Sequence, residues 1–252
     1  MPTIEALSLR KEYGDTVAVD EVTLSLERGE VLGFLGPNGA GKTTTVKMLL
    51  GLIRPTAGQA RVLGCRPGDP AAMRRVGFLP EHFRFHPWMT AAALLDFHGR
   101  LYGMPAERRR RRIPQLLEQV GLAERARSRL SDFSKGMLQR IGLAQALLNE
   151  PEVVFLDEPT SGLDPLGRRE VRDLIGELRR AGVTIFLNSH LLSEAEAACD
   201  RVAIIKRGRV VRSGTLDELT GAATEVEVRA EGMTPEVLAG LERLGRVTHH
   251  NE

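Results

Sequence analysis

VLGFLGPNGAGKTT occupies residues 31–44 and combines an apolar run, a glycine-rich turn and the start of a helical pattern. Its centre matches G-x-x-x-x-G-K-T from Gly36 to Thr43, in the strand-to-helix context that a phosphate-binding loop requires. Glycines permit the tight turn, and N–H groups of the loop and of the following helix can point at phosphate oxygens. A glycine-rich turn without a ligand is the alternative, and the completeness of the motif and its flanks disfavours it.

Each position of this loop has an expected task. We expect Lys42 to reach the β- and γ-phosphates and Thr43 to offer its hydroxyl to a phosphate-bound Mg²⁺, which prefers oxygen ligands. The predicted phosphate-binding residues are Gly36, Pro37, Asn38, Gly39, Ala40, Gly41, Lys42, Thr43 and Thr44.

Composition limits the class of protein. A chain of 252 residues with 42% hydrophobic content can bury a full core, so we expect one large domain with subdomains. The net charge of +2 gives no argument for a nucleic-acid partner. The run Arg108–Arg112 could contact phosphates, but its helical, charge-rich setting favours a solvated face. Cys65 and Cys199 lie far apart, which indicates neither a metal site nor a disulfide scaffold and fits a reducing cytoplasm.

Hydropathy predicts a chain that does not itself cross a membrane. The N-terminus lacks the apolar segment of a signal peptide, and no run approaches the roughly 18 apolar residues of a spanning helix.

The order of patterns predicts an α/β fold. Residues 3–26 alternate apolar and polar positions around a turn near residues 13–15, which indicates an antiparallel β layer. Short apolar runs that are typical of buried strands in a mainly parallel sheet follow at Val31–Leu35, Val76–Leu79, Val153–Leu156, Thr184–Leu187 and Val202–Ile205. The pattern from about residue 87 to 150 is helical throughout, and we interpret it as a helical subdomain inserted into the core.

The C-terminal segment has a different pattern. Residues 224–231 alternate like a strand, and an apolar helical face follows Thr234-Pro235-Glu236. We therefore expect a main domain over residues 1–220 and a small β-α appendage over residues 221–252. No clear further strand follows, and truncation is one explanation that this pattern leaves open.

Two carboxylates follow the apolar run Val153–Leu156. Buried strands rarely end this way without a cation or a proton to manage. We expect Asp157 to hold Mg²⁺, directly or through water, and Glu158 to polarise the water that attacks a γ-phosphate. An exposed acidic loop is the alternative interpretation.

His190 follows another predicted strand, Thr184–Leu187. A lone histidine is usually uninformative, but open α/β sheets bind ligands at the carboxyl ends of their strands. A sheet order that places this strand beside the phosphate loop would bring the imidazole to the γ-phosphate.

Together these motifs resemble the ATP-binding subunit of an ABC transporter, over residues 3–219. The resemblance implies a P-loop NTPase fold of the ABC type, with Tyr13 stacking on adenine and with ATP and Mg²⁺ as ligands. It also implies that Glu158 is the catalytic glutamate and His190 the switch histidine. The loop that contacts the second subunit in that family, called the D-loop, corresponds to Ser161, Gly162, Leu163 and Asp164.

The family's signature loop corresponds to Phe133-Ser134-Lys135-Gly136-Met137. The helical pattern leads to a similar expectation without the resemblance. Ser134 and Gly136 precede a predicted amphipathic helix, whose free N–H groups would form an anion site. In the family, two subunits sandwich two ATP molecules head to tail. The resemblance therefore implies that Ser134, Lys135 and Gly136 of one subunit meet the γ-phosphate bound by Lys42 of the other, in a two-fold dimer.

Two departures from the family pattern separate this chain from the usual motifs. Glu81 stands where a glutamine is usual; it can still give Mg²⁺ an oxygen, but it adds a negative charge. In the signature loop, Lys135 replaces a glycine and supplies a positive charge that suits phosphate. Met137 replaces a glutamine, so the amide group of that side chain is absent. These forms look most like the ATPases of ABC-2-type exporters.

The resemblance predicts an Mg²⁺-dependent ATPase whose dimer closes on ATP and drives a separate transmembrane permease, with export as the direction. The chain would act as a homodimer or with a related subunit, on the cytoplasmic face of the cell membrane, and residues 81–102 would face the permease. No nucleic-acid partner is expected. Two other functions stay open: a soluble ATPase that acts on nucleic acid, and a regulatory nucleotide switch.

Overall fold

The structure, a computed structural model, describes residues 2–82 and 85–220. Its strands are β1 Ile4–Tyr13, β2 Thr16–Leu26, β3 Val31–Leu35, β4 Ala57–Val62, β5 Val76–Leu79, β6 Val153–Asp157, β7 Thr184–Ser189, β8 Arg201–Lys206 and β9 Arg209–Gly214. Its helices are α1 Lys42–Leu49, α2 Pro70–Met73, α3 Ala91–Leu101, α4 Ala106–Gln119, α5 Lys135–Leu147, α6 Pro165–Arg180, α7 Leu192–Ala198 and α8 Leu216–Thr220. Two 3₁₀ turns lie at Ala123–Arg125 and Leu130–Asp132.

The central sheet has the strand order β5-β6-β7-β3-β8-β9. All neighbouring pairs are parallel except β8 and β9. Every residue of β3, β6 and β7 is buried, as expected for strands that are covered on both faces. The predicted α/β class with a mainly parallel core is confirmed.

The second sheet, β2-β1-β4, is antiparallel and forms the predicted N-terminal β layer. A two-residue turn joins β1 to β2, and Gly14 supplies its left-handed backbone at φ 56°. β4 and β9 are not among the predicted strands. Both strands are largely exposed, so they lack the apolar runs that reveal buried strands.

The two faces of the central sheet pack against different layers. One face, which includes Leu32 and Phe34, packs against α1 and the N-terminal sheet, whereas Val31 and Leu35 pack on the helical side. The Phe186 ring lies 5.4 Å from the Phe34 ring and 5.5 Å from the Phe155 ring, measured between centroids. This aromatic row ties three neighbouring strands together on one face.

Helices α3, α4 and α5 fall within the segment 87–150, which is predicted to be helical. The arginine run lies on α4, and three of its members make contacts within the chain. Arg108 pairs with Glu150 at 2.5 Å, Arg109 pairs with Asp96 at 2.7 Å, and Arg112 donates to the Leu147 carbonyl at 3.3 Å. The run therefore attaches α4 to its neighbours more than it forms the solvated face that we expected.

The predicted β-α appendage, residues 221–252, lies outside the described residues, and the predicted domain boundary stays a prediction. Within residues 2–82 and 85–220, no helix is both long and apolar enough to cross a bilayer.

The aromatic row generates a stability prediction. Replacing buried Phe186 with Ala should lower the free energy of unfolding by about 3–5 kcal/mol, because it leaves a cavity between two other rings. Phe97 on α3 is part-exposed, so Phe97→Ala should cost about 1 kcal/mol or less. Urea denaturation of both variants measures the difference, and equal losses would contradict this packing arrangement.

Candidate active site

The loop between β3 and α1 lies at the carboxyl end of the central sheet. Gly39 and Gly41 adopt left-handed φ values of 78° and 106°. Gly41 caps α1 without a side-chain hydrogen bond, so the first N–H groups of the helix face the loop. A Cβ on Gly41 would lie 2.5 Å from the Ala18 carbonyl oxygen, which no real side chain tolerates. The close approach of the Ala18 backbone therefore requires glycine at position 41.

Lys42 is buried at the centre of this loop. Its Nζ donates to the carbonyl oxygens of Gly36 at 2.7 Å and Pro37 at 3.3 Å. The same nitrogen lies 3.6 Å from Glu158 Oε1. The ammonium group is thus held between the glycine loop and the acidic end of β6, where an anion in the loop would meet it.

Asp157 ends β6 and is only 1% exposed. Its Oδ1 accepts a hydrogen bond from Asn188 Nδ2 at 2.8 Å, whereas its Oδ2 is buried without a partner. Burial raises the pKa of Asp157, and the charge of Glu81 adds to the increase; hydrogen bonds from Asn188 and Thr43 and the charge of Lys42 oppose it.

These oxygens fit a divalent cation. A desolvated carboxylate oxygen without a donor is costly, and a bound cation would remove that cost. Asp157, Thr43 and Glu81 supply only oxygen atoms, the ligands that Mg²⁺ prefers.

Glu158 and His190 form a hydrogen-bonded pair, with 2.8 Å between Glu158 Oε2 and His190 Nδ1. Glu158 has a left-handed backbone at φ 53°, which is unfavourable for a glutamate. Its N–H donates to the Asn188 carbonyl at 3.0 Å, and its own carbonyl accepts from the Ser161 N–H at 3.1 Å. The second carboxylate oxygen, Oε1, is buried beside Lys42 without a hydrogen bond.

Most of the predicted catalytic and metal residues surround one cleft of about 280 Å³. Its lining consists of Ala18, Asn38, Gly39, Gly41, Lys42, Thr43, Thr44, Glu81, Asp157 and Glu158. His190 joins this set through its bond to Glu158. The strand order explains the convergence, because β6, β7 and β3 are parallel neighbours whose carboxyl ends lie at one edge.

Other predicted residues lie away from the cleft lining. Tyr13 is at the end of β1, 52% exposed, with Lys11 Nζ 5.0 Å from its ring centroid. Ser134 caps α5 by accepting a hydrogen bond from the Met137 N–H at 3.3 Å.

The signature loop and the D-loop contact each other within the chain. The Lys135 side chain crosses Gly162 so closely that a Cβ there would overlap it. A Cβ on Gly136 would lie 3.3 Å from Leu163 Cδ2. Asp164 caps α6 by accepting from the Gly167 N–H at 2.8 Å. The two loops therefore form one connected surface.

Sequence reasoning missed two buried polar residues near the cleft, Thr160 and Glu194. Glu194 lies four residues after His190 in the short helix α7, where nothing in the sequence distinguishes it from an exposed glutamate.

Comparison with known proteins decides the family. The family model described as "ABC transporter" matches residues 19–161, which is more than half of the chain. The chain belongs to the ABC transporter family. The match contains the phosphate loop and the β6 carboxylates, which line the cleft.

Individual relatives agree with this assignment. An uncharacterized ABC transporter ATP-binding protein of Nostoc sp. (strain PCC 7120) is 48% identical over 88% of this chain and 67% of its own length. The linearmycin resistance ATP-binding protein LnrL of Bacillus subtilis is 35% identical over 97% of this chain and 80% of its own length. The chain spans only 62% of a relative from Synechocystis.

A solved structure shows the same cassette fold. The dimeric structure of MJ0796, a bacterial ABC transporter cassette, superposes with a TM-score of 0.78 at 26% identity. The superposition covers 84% of this chain and 98% of that one. The predicted ABC-type P-loop NTPase fold is confirmed.

The buried carboxylate of this cassette generates a pH prediction. Folding raises the pKa of Asp157, so its charged form opposes folding; the cost is full above the folded-state pKa and declines as the pH falls from there toward the ordinary pKa of an unfolded aspartate. Without nucleotide at pH 7, the free energy of unfolding of Asp157→Asn should therefore exceed that of the wild type. This difference should shrink as the pH falls.

Urea denaturation between pH 7 and pH 4.5 measures this difference. The control is Asp173→Asn, which changes an exposed carboxylate on α6 and should show no such pH-dependent gain. A less stable Asp157→Asn variant at pH 7, or a gain that does not change with pH, would contradict the burial argument.

Proposed function

We propose that this chain hydrolyses Mg-ATP and that ATP-driven pairing of two cassettes drives a membrane-spanning permease. The observation that supports hydrolysis most strongly is the position of Glu158. Its carboxylate lies between Lys42 and His190, and both Glu158 and Asp157 line the cleft. Phosphoryl transfer depends on positioning and on charge stabilisation, and this cluster supplies both.

Each residue has a role in the proposal. The amides of the glycine loop, with Lys42, hold the phosphates. Thr43 and Asp157, with Glu81 nearby, would hold Mg²⁺, which neutralises charge on the β- and γ-phosphates when bound. Glu158 polarises the attacking water, and His190 holds the Glu158 carboxylate in place and contacts the γ-phosphate.

The proposed working state is a dimer. Ser134 is the N-cap of α5, and Gly136 lies in the first turn of that helix and not before it as expected; both lie outside the lining of their own cleft. A second copy placed head to tail would put the signature loop over the phosphates, and MJ0796 is a dimeric cassette of the same fold. Tyr13 is exposed and available to stack on adenine.

The proposed permease-facing surface lies within residues 81–102. Trp88 and Leu101 are each 68% exposed, and the Trp88 ring stacks on His86 with centroids 4.8 Å apart. We propose that both apolar side chains contact the permease. Glu81 lies in both this segment and the cleft, so nucleotide and permease could affect each other through it.

We propose export as the direction of transport, with the cassette held on the cytoplasmic face of the membrane by its permease. The support is the exporter-like form of two loops and similarity to LnrL, which is a resistance protein. The names of the relatives favour transport over action on nucleic acid or a regulatory switch.

The catalytic assignment is tested by Glu158→Gln, which keeps the shape of the side chain but removes its negative charge. Hydrolysis should fall at least about 100-fold, since general-base catalysis contributes that much or more. ATP affinity should change by no more than about threefold, because the phosphate loop stays intact. Phosphate release and equilibrium binding measure the two quantities.

Glu21→Gln is the matched control. Glu21 is also a glutamate with left-handed backbone, at φ 55°, but it is exposed on β2. It should retain full turnover. Wild-type turnover in Glu158→Gln would remove Glu158 from the mechanism.

The partner assignment is tested by a pull-down from native membranes with the Glu158→Gln variant and Mg-ATP. Mass spectrometry should identify one polytopic membrane protein. Adding Leu101→Ser should abolish its capture, whereas adding Leu52→Ser should not, because Leu52 is similarly exposed, at 60%, but follows α1. Recovery of soluble partners alone, or equal capture by both variants, would contradict the assignment.

A further inference from the structure

Glu194 on α7 is a buried carboxylate outside the cleft lining, only 5% exposed. Its Oε1 accepts a hydrogen bond from Thr160 Oγ1, and its Oε2 accepts one from Ser189 Oγ at 2.8 Å. Ser189 Oγ in turn accepts from the Leu191 N–H at 3.1 Å. The carboxylate thus uses both oxygens and joins three segments of the chain.

The segments that it joins carry the Glu158–His190 pair. Thr160 follows Glu158 by two residues, and Ser189 immediately precedes His190. Both hydroxyl-bearing residues are buried. Glu194 therefore connects the loop after β6 to the loop after β7.

Backbone pairing between β6 and β7 stops where these loops begin. The ladder between β6 and β7 ends at the pair Asp157 and Asn188, and the Glu158 N–H makes one more bond to the Asn188 carbonyl. In the described part of the chain, the hydrogen bonds that join the two loops beyond this point are made by side chains. They are the Glu158–His190 bond and the two bonds to Glu194.

Burying the Glu194 carboxylate costs more desolvation free energy than a purely structural contact between these loops would need. Among the described residues, Glu194 has no lysine, arginine or histidine nitrogen within ion-pair distance, and its two hydrogen-bond donors are hydroxyl groups. Apolar side chains could join the loops without that desolvation cost. A carboxylate accepts in defined directions, however, and so sets the distance between its two donors.

We infer that Glu194 is a positioning residue that sets the geometry of Glu158 and His190 through Thr160 and Ser189. This inference rests on the proposed function, in which that pair acts on the attacking water. Loss of one donor should disturb the reacting geometry but leave the phosphate loop in place. The effect should therefore appear in kcat and not in KM.

The test changes the donors, because removing Glu194 would leave two buried hydroxyls without an acceptor and threatens folding. Thr160→Val is nearly isosteric and removes one donor; Ser189→Ala removes the other. Each should lower kcat for ATP about tenfold, as small misplacements at a reacting centre do. KM should stay within about twofold of the wild type. Thr160→Ser keeps the hydroxyl and should restore kcat.

Ser193→Ala is the matched control for Ser189→Ala. Ser193 is exposed on the same helix as Glu194 and precedes it directly. Its removal should leave kcat unchanged. Thermal unfolding verifies that each variant is folded, and Ser189→Ala alone decides the question if Thr160→Val does not fold.

A second measurement does not depend on turnover. The imidazole ¹⁵N resonances of His190 report the bond from Nδ1 to the Glu158 carboxylate. Thr160→Val and Ser189→Ala should move them toward those of an unbonded imidazole, and Thr160→Ser should not. An inactive wild type would overturn the proposed function, while the resonances would still test the positioning. Unchanged kcat and resonances in both donor variants, or a change in KM alone, would overturn the inference.

Discussion

Parallel pairing of β3, β7 and β6 is the constraint on which the rest of the site depends. The register aligns Leu35 with Ser189 and Asp157 with Asn188, so the chain leaves all three strands at nearly the same level. The phosphate loop, the two carboxylates and the imidazole then meet, although they are far apart in sequence. The aromatic row of Phe34, Phe186 and Phe155 fixes the same three strands on one face.

This convergence brings together buried charged groups that the chain satisfies only in part. Lys42 bonds to backbone carbonyls of its own loop, Asp157 keeps a buried oxygen without a donor, and Glu158 has a strained backbone. The last two arrangements cost free energy in the isolated chain. A polyphosphate with its cation would offset these costs, because it offers oxygens to the lysine and positive charge to the carboxylates.

The sequence predicted the parts of this structure that depend on local chemistry. β3 and β5 match their predicted runs residue for residue, and the glycine loop lies between strand and helix as its motif requires. Glu158 and His190, which were predicted separately as catalytic residues, are joined by a direct hydrogen bond. What the sequence could not reveal depends on the sheet order. That order, together with long-range burial, places Glu194 between Thr160 and Ser189.

Exposed elements were also beyond sequence reasoning. β4 and β9 are paired mainly through their backbones, and their side chains lack the apolar pattern that reveals a strand. The arginines of α4 were expected to face solvent, yet three of them contact neighbouring segments through groups distant in sequence, such as Glu150. Such pairings depend on how helices pack, which charge spacing alone does not specify.

The most direct test of the central claim is a structure of the chain with Mg²⁺ and a non-hydrolysable ATP analogue. The account predicts that Lys42 Nζ leaves the Gly36 carbonyl for the β- and γ-phosphates. It also predicts Mg²⁺ about 2.0–2.1 Å from the Thr43 hydroxyl, with Asp157 bound directly or through one water. A triphosphate bound away from the glycine loop, or Lys42 still bonded to Gly36 beneath it, would contradict the account.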